Sequence, residues 1–207
     1  MSNLEIAVAT YISYLIGSIS SAIIVCRIMR LPDPRTQGSR NPGATNVLRI
    51  GGKKAAVITL LGDLLKGVIP VLAGKWWGFD VNALALIAFA AFLGHLFPIF
   101  FRFKGGKGVA TTLGCILALS WPVGLCWMGT WLVFALLFRY SSLASLTASL
   151  LAPVYIWYFT NNVIWVITLS LMSIILLIRH RTNIVQLIRG EENKIGKKKM
   201  PKEASPR

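Results

Sequence analysis

The residues of this chain that could do chemistry fall into four short polar islands set among long apolar runs. The first, residues 33–49, places Thr36, Ser39, Asn41, Thr45 and Asn46 with Arg35, Arg40 and Arg49 among Gly38, Pro42 and Gly43. Glycine lets backbone N–H groups approach an anion closely, and such nests hold phosphate. Arginine adds a planar fork of donors matched to phosphate oxygens. A basic loop that merely fixes membrane orientation has a similar composition, so this island alone leaves both readings open. The second island, Lys104-Gly105-Gly106-Lys107-Gly108 with Thr111 and Thr112 just beyond, has the ingredients of a phosphate loop at a helix N-terminus. It lacks the Walker A spacing and no strand precedes it, so nucleotide hydrolysis is not indicated. In the third, Tyr140, Ser141 and Ser142 follow Arg139 where a helix should begin, a place for an anion or for simple capping. The fourth is Arg179-His180-Arg181-Thr182-Asn183.

The elements that must position these islands are membrane helices. Of the 207 residues, 55% are hydrophobic and 14% charged, with a mean hydropathy of +0.66. Soluble chains carry roughly 25% charged residues. Apolar runs near 5–27, 55–73, 82–101, 108–120, 121–138, 142–159 and 162–178 suggest seven spans, with the 108–120 run short for a crossing. Six spans with one re-entrant segment is the alternative. Charge decides between them. With seven crossings, 20 of the 22 basic residues fall on one face, the exceptions being Lys66 and Lys75. The positive-inside bias makes that face cytoplasmic, with the N-terminus outside and the C-terminus inside. All four islands then share the cytoplasmic surface. Trp76, Trp77, Trp121 and Tyr158 fall at outer span ends, while Trp127, Trp131 and Trp157 read as fillers of helix contacts. The sequence divides into a polytopic domain, residues 1–190, and a basic, disordered tail, residues 191–207, suited to anionic lipid. Nucleic acid is not an expected partner, because the basic residues are committed to topology.

A few polar residues stand inside spans. Gly17 to Ser21 offers small residues for close helix packing. Asp63 and Lys66 share one helical face, either as a functional pair or as a structural ion pair. His95 is a lone histidine near a span end and reads as structural. The His-x4-Asp pair of acyl transfer is absent: Phe100 stands five positions after His95. Two histidines and seven acids make a metal cluster hard to build, and Cys26, Cys115 and Cys126 read as small buried hydrophobes. No metal and no cofactor is expected.

Six motifs, in order, carry a resemblance. They are Gly-Ser-Ile at 17–19, Gly-Ser-x-Asn-Pro-Gly-Ala-Thr-Asn-Val-Leu-Arg at 38–49, Gly-His-x-x-Pro at 94–98, Lys-Gly-Gly-Lys-Gly-Val-Ala-Thr at 104–111, Tyr-Ser-Ser-Leu at 140–143 and Arg-His-x-x-Asn at 179–183. Together they resemble the bacterial acyl-phosphate:glycerol-3-phosphate acyltransferase family over nearly the whole chain to about residue 190. The resemblance implies a seven-helix inner-membrane enzyme with cytoplasmic active-site loops. Such an enzyme joins an acyl group from acyl phosphate to the 1-hydroxyl of sn-glycerol 3-phosphate, giving lysophosphatidate and phosphate. Arg40 stands where that family usually has glycine, and a side chain there should favour an ordinary negative φ.

Acyl phosphate is a mixed anhydride with a good leaving group, so no covalent intermediate is needed; positioning and electrostatic stabilisation suffice. The expected phosphate-binding set is Ser39, Asn41, Gly43, Thr45, Asn46, Arg49, Gly105, Gly106, Lys107, Gly108 and Thr111. The expected catalytic set is Lys104, Ser142, His180 and Asn183, with Ser142, His180 and Asn183 orienting the glycerol. Either His180 or a phosphate oxygen of the substrate takes the proton. The partners are acyl phosphate, sn-glycerol 3-phosphate and membrane lipid, and the protein is expected to act as a monomer. The competing classes are a small organophosphate transporter and a non-catalytic lipid-binding protein. A midplane path and inverted repeats, expected of the transporter, are not evident.

Overall fold

A computed structural model describes residues 2–196, and all regular structure among them is helical. The helices are α1 (Asn3–Gly17), α2 (Ser21–Ile28), α3 (Ala44–Trp77), α4 (Val81–Leu96), α5 (Val109–Leu119), α6 (Trp121–Phe138), α7 (Ser141–Thr160), α8 (Val163–Arg179) and α9 (Arg181–Ile188). The expected tail falls largely on residues 197–207, which lie outside the described residues. Residues 191–196 fold back: the Ile195 N–H donates to the Arg139 carbonyl at 2.7 Å.

Local chemistry sets the breaks. Ser2 and Glu5 close a capping box on α1, and the Asp80 carboxylate accepts from Ala83 N–H to start α4. Gly52, at φ 77°, divides α3 into a short N-terminal piece and a long span. The glycine is needed there because a side chain would strain that conformation. Pro98 follows α4, and α6 carries Pro122 in its first turn, where a missing N–H costs nothing.

Four segments are long and apolar enough to cross a membrane: Ala44–Trp77, Val81–Phe101, Trp121–Phe138 and Ser141–Thr160. Two bent pairs, α1 with α2 (41°) and α8 with α9 (62°), raise the number to six. With eleven residues, α5 rises only about 16 Å at ~1.5 Å per residue. The expected first span is thus broken near residues 18–20 rather than continuous.

The core centres on α4, whose Ile87, Ala88, Ala91, Phe92 and Leu96 are buried. Glycines draw its neighbours in. A Cβ on Gly94 would lie 2.3 Å from the Tyr14 carbonyl oxygen, and one on Gly17 would lie 2.2 Å from that of Ala91. The α1–α4 crossing therefore works only with backbone against backbone, the expected use of small residues in a membrane. Gly67 and Gly114 do the same between α3 and α5. Leu61, Ile69, Leu136, Leu137 and Val154 are exposed. An apolar surface that extensive is suited to lipid. Trp76, Trp121 and Tyr158 are among the most exposed aromatics. Trp157, expected to fill a contact, is half exposed instead.

Candidate active site

The first island folds into a loop held by one side chain. Asn46, buried near the start of α3, accepts from Ser39 N–H at 2.8 Å and donates to the carbonyls of Pro34 (2.9 Å) and Gln37 (3.1 Å). Gly38, at φ 60°, passes so close that a Cβ would meet Asn46 Oδ1 at 2.2 Å. Asn46 thus shapes the cradle with its amide fully engaged. Arg35 is committed to a two-pronged pair with Asp33, its nearest contact 2.6 Å, which holds the Asp33 carboxyl below its ordinary range. Arg40 does not take the expected negative φ; it keeps a left-handed φ of 57°, with its side chain exposed. The cradle's shape wins over the residue's preference.

The glycine loop is gripped from the α8 end. Arg179 donates through Nη2 to the carbonyls of Gly105 and Gly106, each at 3.0 Å, and stacks over Phe97 at 5.7 Å. Lys107 turns inward and donates to Asn183 Oδ1, while Asn183 Nδ2 donates to Glu192 at 2.9 Å. Burial, with Arg49 and Arg179 near, lowers the Lys107 ammonium pKa to about 8, against an opposing pull from Glu192. Thr45 and Ser141 exchange a hydroxyl hydrogen bond at 3.2 Å, joining the first island to the third. His180 Nδ1 lies 2.9 Å from the Leu176 carbonyl. A carbonyl only accepts, so Nδ1 carries the hydrogen and a neutral ring presents Nε2 as an acceptor.

These groups meet at a cavity of about 310 Å³. Its polar part is lined by Ser39, Asn41, Gly43, Thr45, Asn46, Arg49, Lys107, Gly108, Ser142, His180 and Asn183, so all four islands converge. Ser142 Oγ is buried with no hydrogen-bond partner among the described residues. An orphaned hydroxyl at a cavity wall is suited to a ligand. The apolar part is lined by Leu60, Leu113, Trp127, Met128, Trp131 and Leu132. One cavity therefore offers cations and hydroxyls at one end and a hydrocarbon wall at the other.

Four expected residues stand elsewhere. Lys104 is exposed and does not line the cavity. Gly105 and Gly106 are buried beneath the lining, with their carbonyls turned to Arg179. Thr111 is fully buried and donates to the Asp63 carbonyl at 2.9 Å, serving the α3–α5 crossing. Sequence reasoning missed Arg179 as a loop clamp, Glu192 as a lining residue, and the entry of Asp63 and His95 into the cavity wall. Arg179 was visible as a member of its motif. The pairing of Asp63 with His95 had no signal along the chain.

Comparison with known proteins gives the family and the fold. The family model described as glycerol-3-phosphate acyltransferase matches residues 7–190. A glycerol-3-phosphate acyltransferase of Methylococcus capsulatus is 54% identical over 91% of this chain and 95% of its own length. One from Thioalkalivibrio sulfidiphilus is 55% identical over 90% and 92%. Among solved structures, PlsY (YgiH), an integral membrane glycerol 3-phosphate acyltransferase, superposes in its glycerol 3-phosphate form with a TM-score of 0.88. That match has 39% identity and covers 93% of this chain and 96% of that one. Its lysophosphatidic acid form gives a TM-score of 0.84 at 38% identity, with the same coverage.

Proposed function

We infer the reaction from a plain premise: this chain belongs to the glycerol-3-phosphate acyltransferase family. It is a multi-pass membrane acyltransferase that transfers an acyl group to glycerol 3-phosphate, giving lysophosphatidate. The observation that carries the reading is the two-ended cavity, which suits a phosphorylated polar acceptor beside a fatty chain. The acyl donor is acyl phosphate. Its phosphate and that of the acceptor share the cations and donors of Ser39, Asn41, Thr45, Arg49, Lys107 and Asn183. Asn46 acts by shaping the loop, and Lys104 contributes charge from the exposed rim.

In the transfer step, the 1-hydroxyl oxygen attacks the acyl carbonyl carbon and the bond from that carbon to the phosphate oxygen breaks. The electron pair leaves with phosphate. The hydroxyl proton passes to a phosphate oxygen or to His180 Nε2, and Ser142 orients the acceptor. Preorganised donors around the departing phosphate supply the stabilisation, with no covalent intermediate.

The protein acts as a monomer in the bacterial inner membrane, with seven crossing segments, the short α5 among them, the N-terminus outside and the islands cytoplasmic. The charge bias supports this orientation. The test is direct: purified protein in detergent, acyl phosphate and labelled glycerol 3-phosphate, scored for labelled lysophosphatidate. Product from acyl phosphate supports the proposal. Product only from another donor overturns the donor assignment, and no product from acyl phosphate overturns it as well.

A further inference from the structure

Below the glycine loop lies a buried polar cluster that acyl transfer, as described, does not use. Asp63, Lys66 and His95 are each at most 6% exposed, although α3 and α4 contribute them from different parts of the chain. Lys66 Nζ sits 3.0 Å from Asp63 Oδ1 and donates to the Ile19 carbonyl at 2.7 Å. His95 Nδ1 faces the same carboxylate oxygen at 3.7 Å. That orientation turns Nε2 toward the loop, where a Cβ on Gly106 would lie 2.2 Å from it.

Backbone contacts bind the same residues to the loop. The Gly106 N–H donates to the His95 carbonyl at 3.1 Å, and Thr111 donates to the Asp63 carbonyl. Arg179 clamps the loop's carbonyls from the α8 end. The segment from Gly106 to Thr111 is therefore fixed at both ends by main-chain carbonyls, those of His95 and Asp63. A buried ion pair is at best weakly stabilising, and an apolar replacement is often neutral. Lys66 has a structural task at the Ile19 carbonyl, but neither that nor helix packing accounts for the His95 ring against the loop.

We propose that His95, buried beside the Asp63–Lys66 pair, is a positioning residue for the reaction: its imidazole is the platform on which Gly106 rests, setting the height at which Lys107 meets the substrate phosphate. The proposal rests on the reading that Lys107 binds phosphate. It makes Gly106 and His95 a matched pair in which the absence of a Cβ on one is required by the ring of the other.

The experiment is a double-mutant cycle in purified protein, with KM for glycerol 3-phosphate, KM for acyl phosphate and kcat measured for each variant. Gly106→Ala should raise the glycerol 3-phosphate KM on the order of 100-fold, the scale of a 1 Å misplacement. His95→Ala should raise it on the order of 10-fold, and the acyl phosphate KM should rise in both variants as well, because the two phosphates share Lys107, while kcat changes less. In the double variant the ring is gone and the new methyl keeps one tight neighbour, the Pro42 carbonyl oxygen at 3.1 Å, so its KM should fall most of the way back to that of His95→Ala. His95→Asn with Gly106→Ala provides the same reading should His95→Ala not fold. Additive effects in the double variant would overturn the platform, as would an equal loss in every parameter. Lys107→Ala separates the two levels: an unchanged glycerol 3-phosphate KM in that variant defeats the phosphate-loop reading itself. A raised KM beside an additive cycle defeats only the platform.

Discussion

The ionisation of Lys107 gives a pH dependence whose size follows from the structure. Burial beside Arg49 and Arg179 brings its ammonium pKa to about 8 from the ordinary 10.5. Only the protonated form can donate charge to a phosphate. At pH 9 a group with that pKa is protonated about one time in eleven, so kcat/KM for glycerol 3-phosphate should fall roughly elevenfold between its plateau and pH 9. Because kcat/KM reports the free enzyme, the midpoint should stand near pH 8. Lys107→Arg supplies a cation that does not titrate in this range, so its profile should be flat to pH 10 even if its plateau is lower. Stability moves the other way. Between pH 8 and 10.5 the unfolded chain binds a proton that the folded chain has lost, so this group makes the fold more stable as pH rises through that window. Alkaline unfolding is thereby distinguished from titration. A wild-type profile flat from pH 7 to 9.5, or a Lys107→Arg profile with the same descent, would refute the assignment; both need correction for spontaneous hydrolysis of acyl phosphate.

Three further outcomes are expected. Arg40→Gly removes a side chain from a left-handed φ that costs about 1–2 kcal/mol, so thermal melting in detergent should rise by a few degrees with activity retained. Gly94→Ala drives a methyl into the Tyr14 carbonyl and should abolish folded protein on size-exclusion chromatography, whereas Gly129→Ala, with open space around it, should be neutral or stabilising by up to about 1 kcal/mol. Asn46→Ala unhooks three hydrogen bonds of the first loop. It should destabilise by about 1–3 kcal/mol and lower kcat/KM for both substrates, since the cradle loses its shape rather than one contact.

Much of the site was legible as islands of polar sequence. Their convergence was not written in any one island, but a lipid-immersed chain has few other places to put arginines and hydroxyls. What stayed illegible depends on turn geometry and helix phase. Arg102 and Phe103 both adopt left-handed φ, at 55° and 59°, and the chain then presents Lys104 outward and Lys107 inward; two lysines three apart looked equivalent in the sequence. On α5, Val109, Ala110 and Leu113 face the cavity, which turns Thr111 toward α3 and out of the phosphate set. Asp63 and His95 meet only because α3 and α4 pack side by side, a contact that no local spacing encodes.

The charge pattern closes the argument about the fold. Two basic residues, Lys66 and Lys75, fit neither the cytoplasmic bias nor the islands, and the structure gives both the same task. Lys75 Nζ donates to the Leu119 carbonyl at 2.8 Å, at the end of the short α5, and Lys66 Nζ donates to the Ile19 carbonyl where α1 breaks into α2. Each serves a carbonyl that a helix break has left without its intrahelical partner. Within the membrane a carbonyl such as that of Ile19 costs several kcal/mol if unmet, whereas that of Leu119, beside Trp121 at the outer end, is also within reach of water. The two lysines make those breaks tolerable, and for that reason they stand apart from the other twenty basic residues.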